Sequence, residues 1–82
     1  MIKKMTEDEG RAFKRERDVW KDYKSIDDYI EDIVVCLIYS SWHYSEKAAR
    51  EQCEERMIFI KQSFEKKVPA NDCAVDVGYN CG

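Results

Sequence analysis

One proline and three glycines are all that punctuate the 82 residues of this chain. Those two residue types mark turns more strongly than any others, so a fold of many short strands, or one rich in loops, would have little from which to build its corners. Helices joined by short corners are what the count favours. Hydrophobic residues at 44% against charged residues at 38% fit a folded domain facing water, and this length is enough for one core and too little for two. We therefore read a single helical domain over residues 1–82, with residues 1–10 expected to fray.

Apolar spacing divides that domain. Phe13, Trp20 and Tyr23 fall at helical intervals on a heavily charged segment, which predicts a helix from about Arg11 to Tyr23, while Gly10 weakens what precedes it. Ser25 reads as an N-cap, with Asp27 and Asp28 in the first turn, where the backbone dipole favours negative charge. Behind them Ile26, Ile30, Ile33 and Leu37 recur at i, i+4, i+7 and i+11, widened by Tyr29, Val34 and Ile38. That period predicts a helix over roughly 26–41, despite the β-branched run Ile33-Val34-Val35.

A corner at Trp42-His43-Tyr44 precedes a second N-cap, Ser45, and Tyr44 is placed to pack on Ala49 as a hydrophobic staple. Ala49, Cys53, Met57, Ile60 and Phe64 then give the cleanest helical period in the chain, a third helix over about 46–67. Val68-Pro69 ends it, because proline cannot continue the hydrogen-bond ladder. Pro69 and Gly78 bracket a short fourth helix over about 70–77, with Cys73, Ala74 and Val77 inward. The expected architecture is all-α: a small four-helix orthogonal bundle of three main helices plus a short C-terminal one.

The net charge of −3 conceals an uneven distribution. Residues 1–24 hold eight basic and six acidic side chains, interleaved, whereas residues 25–44 carry Asp27, Asp28, Glu31 and Asp32 and no Lys or Arg. Phosphate neutralisation supplies most of the affinity of a nucleic-acid binder, and the interleaved acids argue against one. The longest apolar run, Ile33 to Tyr39, is far short of the roughly twenty residues of a membrane span, so no membrane partner is expected. Thr6 to Arg11 is polar where a signal peptide needs an apolar run. A cytoplasmic protein with free thiols is the expectation for Cys36, Cys53, Cys73 and Cys81.

Chemistry-bearing patterns are sparse. His43 is the sole histidine and so the sole imidazole base for any thiol, and an aromatic corner is the usual setting of a structural histidine. Neither a C-x₂₋₄-C pair nor a glycine-rich phosphate loop is present. Cys73 and Cys81 flank a turn and are the remaining metal candidates. The carboxylates at 28, 31 and 32 lack the Glu-x-x-His partner of a two-metal site and read as a solvated helix start. No catalytic residue, metal or cofactor is expected, and the protein is read as a non-enzyme.

Two segments have counterparts elsewhere. Val68 to Tyr79 looks like the first helix and turn of a helix-turn-helix, but the recognition helix that groove readout needs is not expected after it. Trp42-His43-Tyr44-Ser45-Glu46-Lys47-Ala48 resembles the first joint of ubiquitin-associated domains, which also end in a short helix. It lacks their Met-Gly-Phe/Tyr corner, and its following helix is far longer, so the likeness is one of geometry and not of membership.

What remains is aromatic. Trp20, Tyr23, Tyr39, Trp42 and Tyr44 are too many for four short helices to bury, and Tyr and Trp are enriched at binding hot spots. The expected function is therefore a protein–protein interaction module, a small adaptor or inhibitor of the kind phages and mobile elements encode. It would bind a larger protein through Trp42, His43, Tyr44 and Trp20 together with the acidic helix start at Asp27, Asp28 and Glu31. The aromatic stripe could equally bury itself in a homodimer. The alternatives are a nucleic-acid-associated transcriptional regulator, placing Lys3, Lys4, Arg11, Lys14, Arg15, Arg17, Lys21 and Lys24 on phosphates, and a small Cys/His zinc protein.

Overall fold

Helix α2, Ile26–Ile38, is the element around which the others assemble. Its N-cap is Ser25, whose Oγ accepts the Asp28 N–H at 3.4 Å. From Ile33 to Leu37 it is buried on every side, as a helix must be when its apolar residues run right round it. The computed structural model describes residues 5–79, and among them every regular element is helical: α1 Glu7–Glu16, α2, α3 Glu46–Glu55, α4 Met57–Glu65 and α5 Ala70–Tyr79. Helix α2 packs against all four others, most extensively against α5 and then α3. One cluster forms the core: Tyr29, Ile33, Val34, Cys36 and Leu37 of α2 meet Ala49 and Cys53 of α3, Ile60 of α4, and Ala70, Cys73, Ala74 and Val77 of α5.

The all-α bundle agrees with the sequence reading, while its boundaries correct that reading. Helix α1 starts well before Arg11. Thr6 and Glu9 form a reciprocal capping box, in which Thr6 Oγ1 accepts the Glu9 N–H at 3.2 Å and Glu9 Oε1 accepts the Thr6 N–H at 3.0 Å. The Tyr39 hydroxyl holds the same end by accepting the Met5 N–H at 2.9 Å and donating to the Met5 carbonyl at 3.1 Å. Residues 5–10 are thus tied rather than frayed; residues 1–4 lie outside the described residues. Gly10 is where α1 touches Tyr39, since a Cβ there would collide with that ring.

Helix α1 also ends early, at Glu16, and residues 17–25 cross to α2 without helical structure. Asp32 organises this crossing. Its Oδ2 accepts Arg17 Nε–H and Tyr23 O–H, each at 2.6 Å, and the Arg17 guanidinium lies 3.8 Å from the centre of the Phe13 ring. Burial and the hydrogen bond to Asp32 push the Tyr23 hydroxyl up from its ordinary range, which keeps it a donor. Asp32 is therefore a clamp between α1 and α2, and the expectation that it is merely solvated does not hold.

The predicted third helix is two. Arg56, at φ −109°, separates α3 from α4 with no proline or glycine to mark the bend. The bend turns Ile60 and Phe64 toward the start of α2, where Phe64, Trp20, Tyr23 and Tyr29 make an aromatic cluster with centroids 5.2–5.8 Å apart. Helix α4 closes in a Schellman motif. The Val68 N–H reaches the Ser63 carbonyl at 2.9 Å, the Lys67 N–H reaches the Phe64 carbonyl at 3.1 Å, and Lys67 takes φ 58°. Tyr29 O–H secures the exit by donating to the Val68 carbonyl at 2.8 Å. At the other end of α5, Gly78 does not stop the helix but lies buried within it.

Two substitutions probe these joints. Lys67→Gly removes a left-handed strain of about 1–2 kcal/mol and loses part of that to the freer unfolded chain, so urea unfolding should show a gain of about 0.5–1 kcal/mol. Gly10→Ala improves helix propensity by about 1 kcal/mol but drives a methyl into Tyr39, and overpacking of this kind costs about 1–3 kcal/mol. The same assay should show a net loss; an increase in stability would mean that α1 does not rest on Tyr39.

Candidate protein interaction surface

A handful of hydrogen bonds builds the corner between α2 and α3. Ser40 Oγ donates to the Leu37 carbonyl at 2.6 Å and accepts the Trp42 N–H at 3.2 Å, and the His43 N–H donates to the Ser40 carbonyl at 3.1 Å. His43 completes the reversal at φ 52°, a region that histidine enters more readily than most residues. Ser45 then caps α3, its Oγ accepting the Ala48 N–H at 3.1 Å. Polar bonds thus hold the backbone of the corner in place.

The three side chains take different settings. Trp42 lies across α5, where a Cβ at Gly78 would sit 2.6 Å from its Cζ3; glycine is what lets the indole lie flush, yet 43% of the residue remains exposed. His43 is exposed and faces α1, lining a hollow of about 490 Å³ with Glu7, Arg11, Lys14 and Tyr39. Tyr44 is half-buried against the core, its ring 6.5 Å from that of Trp42.

The remaining candidates lie elsewhere. Trp20 is turned inward into the aromatic cluster with Tyr23, Tyr29 and Phe64 and does not extend the Trp42 surface. Asp27 and Asp28 are exposed at the first turn of α2, and the thirteen-residue helix places them about 20 Å from the corner at its far end. Glu31 lies between, bound by Arg50, whose Nη1 and Nη2 donate to its two oxygens at 3.0 and 3.1 Å while Nε donates to Glu46 at 3.0 Å. Those hydrogen bonds hold Arg50 firmly in its charged form. The acidic helix start and the aromatic corner are therefore two surfaces and not one.

Helix α5 contributes the residues that the sequence reading overlooked. Val75 is 46% exposed and Tyr79 is 76% exposed; they lie one turn apart, and Val75 lines a small cavity with Trp42. Their signal was indirect: once Cys73, Ala74 and Val77 face inward, the helical period sends 75 and 79 outward. The other large exposed apolar residues, Val19 and Ile58, sit on the α1–α2 crossing and on α4 and need no explanation as isolated surface residues.

The thiols sit in the interior. Cys36, Cys53 and Cys73 are free and buried, and Cys81, the other metal candidate, lies outside the described residues. Burial pushes the Cys36 and Cys53 thiols up to about 12. It also raises Cys73, partly offset by the hydroxyls of Ser63 and Tyr29. Among the described residues no three His, Cys, Asp or Glu side chains converge as a metal site would require, and His43 lies in solvent, away from these thiols.

A folded-state value raised above the ordinary thiol value of 9.0 means that the neutral thiol stabilises the fold below that pH, and the contribution is lost as pH rises toward about 12. Stability in urea should therefore decline above about pH 9. At about pH 8, iodoacetamide should leave Cys36, Cys53 and Cys73 unmodified in the folded protein and label all three in denaturant, as read by peptide mapping. Equal labelling rates in both states would contradict their burial. No family model, curated protein or solved structure matches the chain.

Proposed function

We propose that this protein is a non-enzymatic interaction module, acting in the cytoplasm as an adaptor or inhibitor, that binds a larger protein through the surface formed by Trp42 and the outer face of α5. The observation that carries this reading is the exposure of Trp42, Val75 and Tyr79 on one side of a chain that had room to bury other aromatics. An indole with one face on Gly78 and the other open is held rigid before any partner arrives, so little side-chain entropy is lost on binding. No helix among the described residues is long and apolar enough to cross a membrane.

The proposal narrows the surface expected from sequence. Trp42 stays in it with Tyr44 packed beside it, Val75 and Tyr79 join it, and His43, Trp20, Asp27, Asp28 and Glu31 do not share it. The test is affinity capture from native lysate, with and without nuclease, comparing the wild type with Tyr79→Ala and Trp42→Ala. A stoichiometric protein that survives nuclease and is lost from both variants, while their circular dichroism stays helical, is the expected result. A companion lost on nuclease treatment, or capture unaffected by either substitution, overturns the reading.

A further inference from the structure

Helices α1 and α5 are pinned together at one end. The Asn71 N–H donates to the Arg17 carbonyl at 3.0 Å, and the Asn71 side-chain amide donates to Asp18 Oδ1 at 2.6 Å. Away from this pin a groove separates the two helices, floored by the end of α2 and by Ser40 and Ser41. Lys14 borders two hollows along it, of about 110 and 260 Å³, and a third of about 490 Å³ that continues between α1 and the α2–α3 corner. The smallest is an apolar pit between Trp42, Ala74 and Val75 over Cys36 and Leu37. An apolar cavity of about 150 Å³ takes a benzene molecule, so this pit is sized for one aliphatic side chain.

The wall opposite the pit is cationic. Arg11, Lys14 and Arg15 recur at helical spacing along α1 beside these hollows. Neither Lys14 nor Arg15 has an ion-pair partner among the described residues, and Arg11 has only exposed carboxylates at 3.8 Å, Glu7 and Asp8. On a protein of net charge −3 this is a local reversal of sign next to an apolar pit. We propose that the groove binds an acidic peptide segment of another protein, which inserts one apolar side chain between Trp42 and Val75 and sets its carboxylates against Arg11, Lys14 and Arg15. This deepens the interaction reading above and rests on it.

A continuous phosphate backbone fits less well. Glu7 and Asp18 line the ends of the same groove and would oppose evenly spaced negative charge. The pit also calls for a hydrocarbon group that sugar and phosphate lack. A peptide can space its carboxylates to face only the cations.

The probes are fluorescein-labelled peptides of about twelve residues, long enough to span ~18 Å as a helix: an Asp/Glu-rich sequence with a central leucine, the same sequence with serine in place of leucine, and its lysine-reversed counterpart. An oligothymidylate is the competing polymer. Binding is read by anisotropy and by NMR shifts of the Val75 methyls and the Trp42 indole N–H. The acidic leucine peptide should bind and shift both signals, lose affinity as salt is raised, and weaken about tenfold in Lys14→Glu and in Arg15→Glu, two surface changes whose folding circular dichroism verifies. Equal binding of the serine or lysine peptide, preference for oligothymidylate, or no shift at Val75 and Trp42 overturns the proposal. If a captured protein partner depends on Tyr79 but is indifferent to Lys14→Glu, the groove assignment fails while the interaction reading stands; if no partner is captured, the reading itself fails.

Discussion

Five consecutive residues of α2, Ile33-Val34-Val35-Cys36-Leu37, are shut off from water. A helix with one apolar stripe can lie on a surface, but one buried on every face needs neighbours on every face. Helix α5 covers one side, α3 another, and α1 and α4 close what is left. Burial of such side chains is worth about 1.5–3 kcal/mol each relative to exposure, so this single segment contributes a large part of the driving force. The short corners follow from it, because each flanking helix must return at once to the same central rod.

The polar contacts sort into those that shape this arrangement and those that decorate it. Arg17 and Asp32 keep only 12% and 17% of their side-chain surface in water, so each would leave a costly unpaired charge if the other were removed. Tyr23 shares the same carboxylate oxygen, so one acidic residue of α2 sets the path of the whole irregular crossing. The Arg50 contacts to Glu31 and Glu46 are geometrically good but lie largely in solvent, where such pairs contribute about 1 kcal/mol or less.

The helical class, the caps at Ser25 and Ser45 and the stop at Val68-Pro69 were legible because each depends on residues close together in the chain. The Thr6-x-x-Glu9 capping box is equally local, but Gly10 follows it, and a glycine that weakens a lone helix is also one that permits close packing. The division at Arg56 carries no local mark; it arises where Ile60 and Phe64 turn toward an aromatic cluster assembled from three separate segments. Trp20 and Tyr23 keep helical spacing with Phe13 but lie outside a helix, where Tyr23 bonds Asp32 and Trp20 packs on Phe64. For the candidate surface, the exposure of Trp42 was foreseeable from the surplus of aromatics. Its partnership with Val75 and Tyr79 depends on how α5 docks, which no local pattern encodes.

That docking also explains why the groove lies where it does. Helix α1 offers the core little: Gly10 is its buried residue, and Phe13 is only partly covered. It is held instead by small polar attachments at its two ends, Tyr39 with Met5 at one and Asn71 with Arg17 and Asp18 at the other, and by the Arg17–Asp32 clamp. Each net hydrogen bond is worth about 0.5–1.5 kcal/mol, well below the apolar term that joins α5 to α2. The two walls of the groove therefore have unequal footing: the wall bearing Val75 is part of the core, and the wall bearing Arg11, Lys14 and Arg15 is suspended from its ends. A site built this way can adjust the distance between its charges and the pit to a bound segment without disturbing the helices that hold the molecule together.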